Sequence, residues 1–338
     1  MADMIVVDNL VEVYAGGTKA VDGVSFRVPE GEFFGFLGPN GAGKSTTIKV
    51  LSTLLRKTSG AVTIGGQDLD RDPDGIRRII GVQSQETVVD GDLTGRKNLV
   101  FQGHLQRMQG PTLRRRVDEL LDLMELRDVA DRKAKQYSGG MKRRLSLAAA
   151  LVHRPRLVFL DEPTTGLDPQ SRAKVWSYLS KLNEQEGTTV FLTTQYLEEA
   201  DKLCRQLSII DHGKIVASGS PADLKEEIGG ETIILTLDPD IDPGPRGALE
   251  VRLRALPGVG KVVRADSGLV VYARQASRLV EEIVTLFQGV GIHPESISLA
   301  APTLDDVFLQ KTGSRIRQGD LVSGAPPPSV SGVRGGAY

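Results

Sequence analysis

Apolar and polar positions along the chain fall into two regimes. In the first, β-branched and aromatic residues concentrate from Ile5 to Tyr14 and from Val21 to Val28, with Gly16-Gly17 between them, which predicts a hairpin-like start. Phe33 to Leu37 follows as a short apolar strand running into a glycine-rich loop, and Thr46 to Leu55 reads as a helix. Between Leu113 and Leu126 the apolar residues Val117, Leu120, Leu121 and Met124 recur at helical spacing among charges, the pattern of an amphipathic helix. Leu145 to Val152 reads as a buried helix behind a basic cluster. Leu157 to Leu160 is an unbroken apolar run closed by Asp161-Glu162, as expected of a strand covered on both faces in a parallel sheet. Thr188 to Thr193 repeats that pattern, and Ser208 to Ala217 predicts two short strands around Asp211-His212-Gly213.

The second regime begins after Gly219. It predicts a strand (Thr232–Leu237), a helix (Arg246–Leu256), two strands (Val259–Ala265 and Leu269–Ala273), a helix (Ala276–Gln288) and a strand (Ile292–Leu299). That β-α-β-β-α-β order is the ferredoxin-like split pattern. The expected organisation is a first domain over 1–220 with a helical part at about 86–155, an accessory α+β domain over 221–312, and a tail over 313–338. The tail is rich in Gly, Pro and Ser without apolar periodicity, so it is expected to be flexible.

Composition narrows the function classes. Lys+Arg 42 against Asp+Glu 43 gives a net charge of −1, which argues against binding nucleic acid through overall positive charge. Cys204 is the single cysteine, so multi-cysteine metal sites and intramolecular disulfides are excluded. The N-terminus lacks the basic start and long apolar core of a secretory signal. No apolar run approaches the ~20 residues needed to cross a bilayer, so any membrane role is expected to come through a partner.

Chemistry concentrates in two places. Gly38-Pro39-Asn40-Gly41-Ala42-Gly43-Lys44-Ser45 matches G-x-x-x-x-G-K-[ST] directly after a strand and before a helix, the context this phosphate-binding loop requires. Glycines let several backbone N–H groups converge on phosphate oxygens, and the helix start at Thr46 adds its dipole. Lys44 is suited to the β- and γ-phosphates and the Ser45 hydroxyl to Mg²⁺. Asp161 and Glu162 stand at the end of a buried strand, where α/β sheets bind ligands. Asp161 can hold Mg²⁺, and Glu162 can orient and deprotonate an attacking water.

Further motifs decide among the users of this loop. Tyr137-Ser138-Gly139-Gly140-Met141 ahead of a basic cluster resembles the signature of the ATP-binding-cassette (ABC) ATPases. Gln85 in IGVQSQ is similar to the family's Q-loop glutamine, and PTTGLD ending at Asp168 to its D-loop. Tyr14 lies where the family keeps an aromatic stacked on adenine. The resemblance covers residues 5 to 220 and implies an α/β P-loop NTPase (RecA-like) with a parallel-sheet core, an N-terminal antiparallel β part and a helical signature subdomain. It implies that Ser138, Gly139, Gly140 and Asp168 serve ATP held by a second copy, and that Gln85 contacts the γ-phosphate and Mg²⁺. A homodimer or paired cassette, an integral membrane permease and a peripheral place on the cytoplasmic face of the membrane follow from the same family.

TTQYLEEAD and the late PTLDDVFL resemble drug-exporter ATPases of the daunorubicin-resistance type. This subgroup often has glutamine where most of the family has a switch histidine, and Gln195 stands there. A glutamine can hydrogen-bond the γ-phosphate or its water but cannot take up a proton, which leaves Glu162 as the expected base. The alternative is a soluble cassette acting on ribosomes or DNA, a type that usually carries paired cassettes, zinc-binding cysteines or a long coiled coil. Among other residues, Tyr14 could equally pack in the core, and Asp168 could simply cap the helix beginning at Pro169. His212 is expected in an exposed turn, and His104, His153 and His293 show no metal-ligand spacing. Arg77-Arg78 and Arg114-Arg115-Arg116 are expected to be solvated helix faces.

Overall fold

The computed structural model describes residues 2–85, 89–228, 231–237, 243–265, 268–273, 276–290, 292 and 294–312. The tail expected to be flexible, His293 and the connection 238–242 lie outside the described residues. In the first domain β1 (Asp3–Val13), β2 (Lys19–Pro29) and β3 (Phe33–Leu37) lead into α1 (Lys44–Leu51). Next come β4 (Ser59–Ile64), the two-residue β5 (Gln67–Asp68), α2 (Pro73–Ile79), β6 (Ile80–Gln83), α3 (Gly95–Leu105), α4 (Gly110–Leu123) and α5 (Gly139–Ala150). The run closes with β7 (Leu157–Asp161), α6 (Pro169–Glu186), β8 (Thr189–Thr194), α7 (Leu197–Leu203), β9 (Gln206–Asp211), β10 (Lys214–Gly219) and α8 (Pro221–Glu227).

Two sheets result. The antiparallel one has the order β2-β1-β4-β5, and the larger one β10-β9-β3-β8-β7-β6. In the larger sheet β9, β3, β8, β7 and β6 run parallel, with β10 antiparallel at the edge. The unbroken apolar runs follow from burial on both faces. Val158, Leu160, Val190 and Leu192 face one core with the helices, while Leu157, Phe159 and Phe191 face the core shared with the antiparallel sheet. Phe191 centres the second core, with the rings of Phe26, Phe34, Phe36 and Phe159 at 5.5–5.8 Å. Such close ring packing adds to the area they bury.

The accessory module is β11 (Glu231–Thr236), α9 (Pro243–Arg254), β12 (Val259–Ala265), β13 (Gly268–Ala273), α10 (Ala276–Val290), β14 (Ser296–Ala300) and α11 (Leu304–Thr312). Its sheet has the order β12-β13-β11-β14 with every neighbouring pair antiparallel, which is the ferredoxin-like arrangement. One face packs against α9 and α10. On the other, Val270 and Tyr272 join Leu304, Val307 and Phe308 of α11, Leu224 of α8 and Ile228 just after it in one core.

Several boundaries differ from the sequence expectation. The first helix ends at Leu51 rather than Leu55, because Thr53 takes a left-handed φ of 63° and the amides of Leu54 and Leu55 turn back to the Lys49 carbonyl. The amphipathic helix runs over Gly110–Leu123, three residues earlier at both ends than expected, since Pro111 suits a first turn. The last strand starts at Ser296 rather than Ile292; Pro294 has no N–H to give a ladder. Arg116 departs from its expected solvated face: it is buried and donates to the Leu151 carbonyl at 3.0 Å, tying α4 to the end of α5.

Candidate functional site

Strand order delivers the candidate site to one edge. β8 lies between β3 and β7, and the register sets Leu37 beside Thr194 and Asp161 beside Thr193. The segments leaving these strands, Gly38–Ser45, Glu162 and Gln195, therefore emerge together at the carboxyl edge, where open α/β sheets bind ligands.

The loop after β3 depends on its glycines. At Gly43, which has a φ of 107° and caps α1, an added Cβ would lie 2.3 Å from the Ala20 carbonyl oxygen; at Gly38 it would lie 2.3 Å from that of Ile210. Between them Pro39, Asn40, Gly41 and Ala42 make the turn, with the Ala42 amide donating to the Pro39 carbonyl at 3.2 Å. Lys44 is buried, and its Nζ donates to the carbonyls of Gly38 at 2.8 Å and Pro39 at 3.0 Å. Burial holds its ammonium below the usual lysine range, opposed by the Glu162 and Asp161 carboxylates. Beside the loop, Tyr14 is exposed rather than packed in the core, and its hydroxyl meets Thr46 Oγ1 at 3.1 Å.

The acidic half is bonded to this loop and to β8. Ser45 Oγ donates to Asp161 Oδ1 at 3.2 Å, and Thr193 Oγ1 donates to the same oxygen at 2.6 Å. A hydroxyl and a carboxylate so close are hard oxygen donors that fit one divalent cation. Glu162 takes a left-handed φ of 50°, a strain of about 1–3 kcal/mol for a non-glycine residue. Its amide donates to the Thr193 carbonyl at 3.0 Å, and its Oε2 accepts from Thr165 Oγ1 at 3.2 Å. Gln195 is buried just beyond β8.

The remaining candidates lie beyond β6 and at the starts of α5 and α6. Gln85 is exposed beyond β6, the edge strand next to β7. Ser138 caps α5 by accepting from the Met141 amide at 3.2 Å, with Gly139 and Gly140 in its first turn and open space around Gly139. Asp168 caps α6, accepting from the Ser171 amide at 2.9 Å and hydroxyl at 2.6 Å, bonds that hold its carboxyl below the usual range. His212 is exposed, and His153 bonds the Ile80 carbonyl at 2.9 Å. Sequence reasoning missed Thr193 and Arg143. Thr193 could have been found from its place at a strand end two residues before Gln195; Arg143 sat unmarked inside the basic cluster.

A phosphate loop and an acidic strand end meeting at one sheet edge define a P-loop nucleoside-triphosphatase. Residues 21–165 match the family model described as ABC transporter. The chain is 45% identical over 311 residues to the daunorubicin/doxorubicin resistance ATP-binding protein DrrA of Streptomyces peucetius, covering 90% of this chain and 91% of that one. It is 43% identical to the daunorubicin resistance ATP-binding protein DrrA3 of Streptomyces coeruleorubidus, covering 93% of this chain and 97% of that one. Among solved structures, a dimeric ATP-binding cassette in a post-hydrolysis state bound to ADP and Pi is similar with a TM-score of 0.61 and 29% identity, over 64% of this chain and 98% of that one. The chain belongs to the ATP-binding subunits of ABC transporters, in the subgroup of daunorubicin-resistance type. It binds and hydrolyses ATP.

Proposed function

We propose that the chain powers an exporter of drug-like, lipid or natural-product molecules, paired with a second cassette and joined to an integral membrane permease on the cytoplasmic face of the membrane. The 3.2 Å bond between Ser45 Oγ and Asp161 Oδ1 carries this reading, because it joins the phosphate loop to the acidic strand end. Backbone N–H groups between Gly38 and Thr46, Pro39 having none, and the Lys44 ammonium hold the phosphates, and Tyr14 stacks on adenine. Ser45 and Asp161, with Gln85, would hold Mg²⁺, which would supply neutralising charge to the phosphates. Glu162 takes the proton of the attacking water, and Gln195 orients that water by hydrogen bonding. Ser138, Gly139, Gly140 and Asp168 complete the site of the other cassette.

No helix among the described residues is long and apolar enough to cross a membrane. A cavity of ≈340 Å³ between α1, β6, α3 and α5 is lined by Ser52, Leu54, Ser84, Gln102 and Ser146. Exposed Leu54 lines this cavity, and exposed Phe101 and Leu105 lie on α3, which forms its wall. We place a short cytoplasmic helix of the permease here, in helix-in-groove fashion. Ser84 is adjacent to Gln85, so a shift of that helix reaches the ATP site, and the helical part over 86–135 carries it onward.

Glu162→Gln in the full chain tests the reading. ATP affinity is expected to persist while turnover falls at least about a hundredfold, and ATP-bound dimers accumulate in light scattering. Near-normal turnover would remove Glu162 as the base. Failure to form any dimer, alone or with the permease, would remove the shared site.

A further inference from the structure

Arg143 lies on α5, five positions after Ser138, and its side chain is buried. Among the described residues, its guanidinium donates only to backbone carbonyls. Nε reaches Pro163 at 3.3 Å; Nη1 reaches Ser84 at 3.2 Å and Gln85 at 2.6 Å. Nη2 reaches Asp161 at 2.9 Å and Glu162. These carbonyls belong to two segments, one leaving β6 and one leaving β7. The parallel ladder between those strands ends at the pair Gln83↔Leu160. Past that pair the strands offer each other no further ladder bonds, and buried carbonyls without partners are costly. The planar five-donor fork of arginine spans the gap, which the compact ammonium of lysine cannot do.

Among the described residues no carboxylate bonds this guanidinium, and those of Asp161 and Glu162 act on it only through their charge. Its burial is therefore poorly suited to stability alone, the desolvation penalty being several kcal/mol. Its placement does suit alignment. The two segments carry Gln85 and Glu162, and Glu162 sits in a strained backbone conformation that needs neighbours to hold it.

We infer that Arg143 is a positioning residue for ATP hydrolysis: its guanidinium fixes the Glu162 carboxylate and the Gln85 segment relative to each other and ties both to the helix that begins at Ser138. This rests on the reading of Glu162 as the base and Gln85 as a γ-phosphate contact. A movement of the α5 N-terminus is thereby delivered directly to the hydrolytic residues.

The test uses Arg143→Lys and Arg143→Met in the full chain, with titration of a fluorescent ATP analogue alongside steady-state ATPase. Arg143→Lys is expected to lower kcat about tenfold, with the dissociation constant and binding stoichiometry within about threefold of the unsubstituted chain. Arg143→Met is expected to lose more. Combining Arg143→Lys with Gln85→Ala should cost little beyond the larger single loss, because the two act by one route. The inference is overturned if Arg143→Lys turns over within about twofold of normal, if the two losses multiply, or if stoichiometry and kcat fall together, the signature of a packing role. Should Arg143→Met fail to fold, Arg143→Lys decides. Glu162→Gln separates the layers: a collapse there with normal Arg143→Lys rejects Arg143 alone, whereas an active Glu162→Gln rejects the base and this inference with it.

Discussion

Thr193 donates its hydroxyl to Asp161 Oδ1 at 2.6 Å while its carbonyl accepts the Glu162 amide at 3.0 Å. One residue of β8 thus holds both Asp161, the last residue of β7, and Glu162 beyond it, across a parallel pairing that no local sequence signal announces. A hydrogen bond to a charged group contributes about 1.5–3 kcal/mol. Thr193→Val keeps the shape and deletes the donor. Turnover is expected to fall about tenfold and the magnesium concentration for half-maximal activity to rise, with Thr193→Ser retaining most activity. Magnesium titrations of ATPase rate check this; a valine variant with unchanged rate and magnesium demand would reduce the bond to a packing detail.

Tyr14 is 39% exposed at the end of β1, with its hydroxyl bonded to Thr46 of the phosphate-loop helix. Stacking of a base on an aromatic ring is worth about 1–3 kcal/mol. Tyr14→Ala is expected to weaken ATP binding about tenfold, whereas Tyr14→Phe loses only the Thr46 bond and stays within about twofold. Nucleotide titrations measure both, and an alanine variant of unaltered affinity would place the adenine elsewhere.

Glu199 ties the segment after Asp161 to the segment after β8. Its Oε1 accepts from Thr164 Oγ1 at 3.1 Å and from Trp176 Nε1 at 2.7 Å. Burial pushes its carboxyl above the ordinary 4.5, opposed by bonds from Thr194, Trp176 and Thr164. Below the ordinary value the group is protonated in both folded and unfolded chains. As pH rises from there toward the raised folded value, the unfolded chain releases its proton first, so this group's contribution to stability declines. Glu199→Gln has no such proton. The melting temperature of the unsubstituted chain is therefore expected to fall relative to Glu199→Gln as pH rises above the ordinary 4.5. Parallel melting curves over that rise would show that the carboxyl does not titrate there.

Much of the site was legible in sequence because its chemistry is carried by contiguous residues. The run from Gly38 to Ser45 must bend on glycines and open a helix wherever it occurs, and Asp161-Glu162 must follow a strand hidden on both faces. Tyr14 was ambiguous between core and ligand, and its exposure depends on β1 ending at Val13. Charge runs were the weakest guide. Arg114-Arg115-Arg116 read as a solvated face and Lys142-Arg143-Arg144 only as a basic cluster, yet Arg116 and Arg143 are buried against backbone carbonyls. Nothing in a run of like charges tells which member faces inward, since that depends on where neighbouring strands run out of partners.

The amino-acid order alone determined the phosphate loop, the acidic strand end, the candidate helix cap at Asp168 and the alternation of the accessory module, because each follows from interactions within a few residues. Tertiary structure decided that β8 lies between β3 and β7, and so that Thr193 bonds both the Asp161 carboxylate and the Glu162 amide. It also decided that Arg143 closes the gap where two strands part. Strand neighbours are chosen by how whole faces bury against one another, an outcome no short stretch of chain contains.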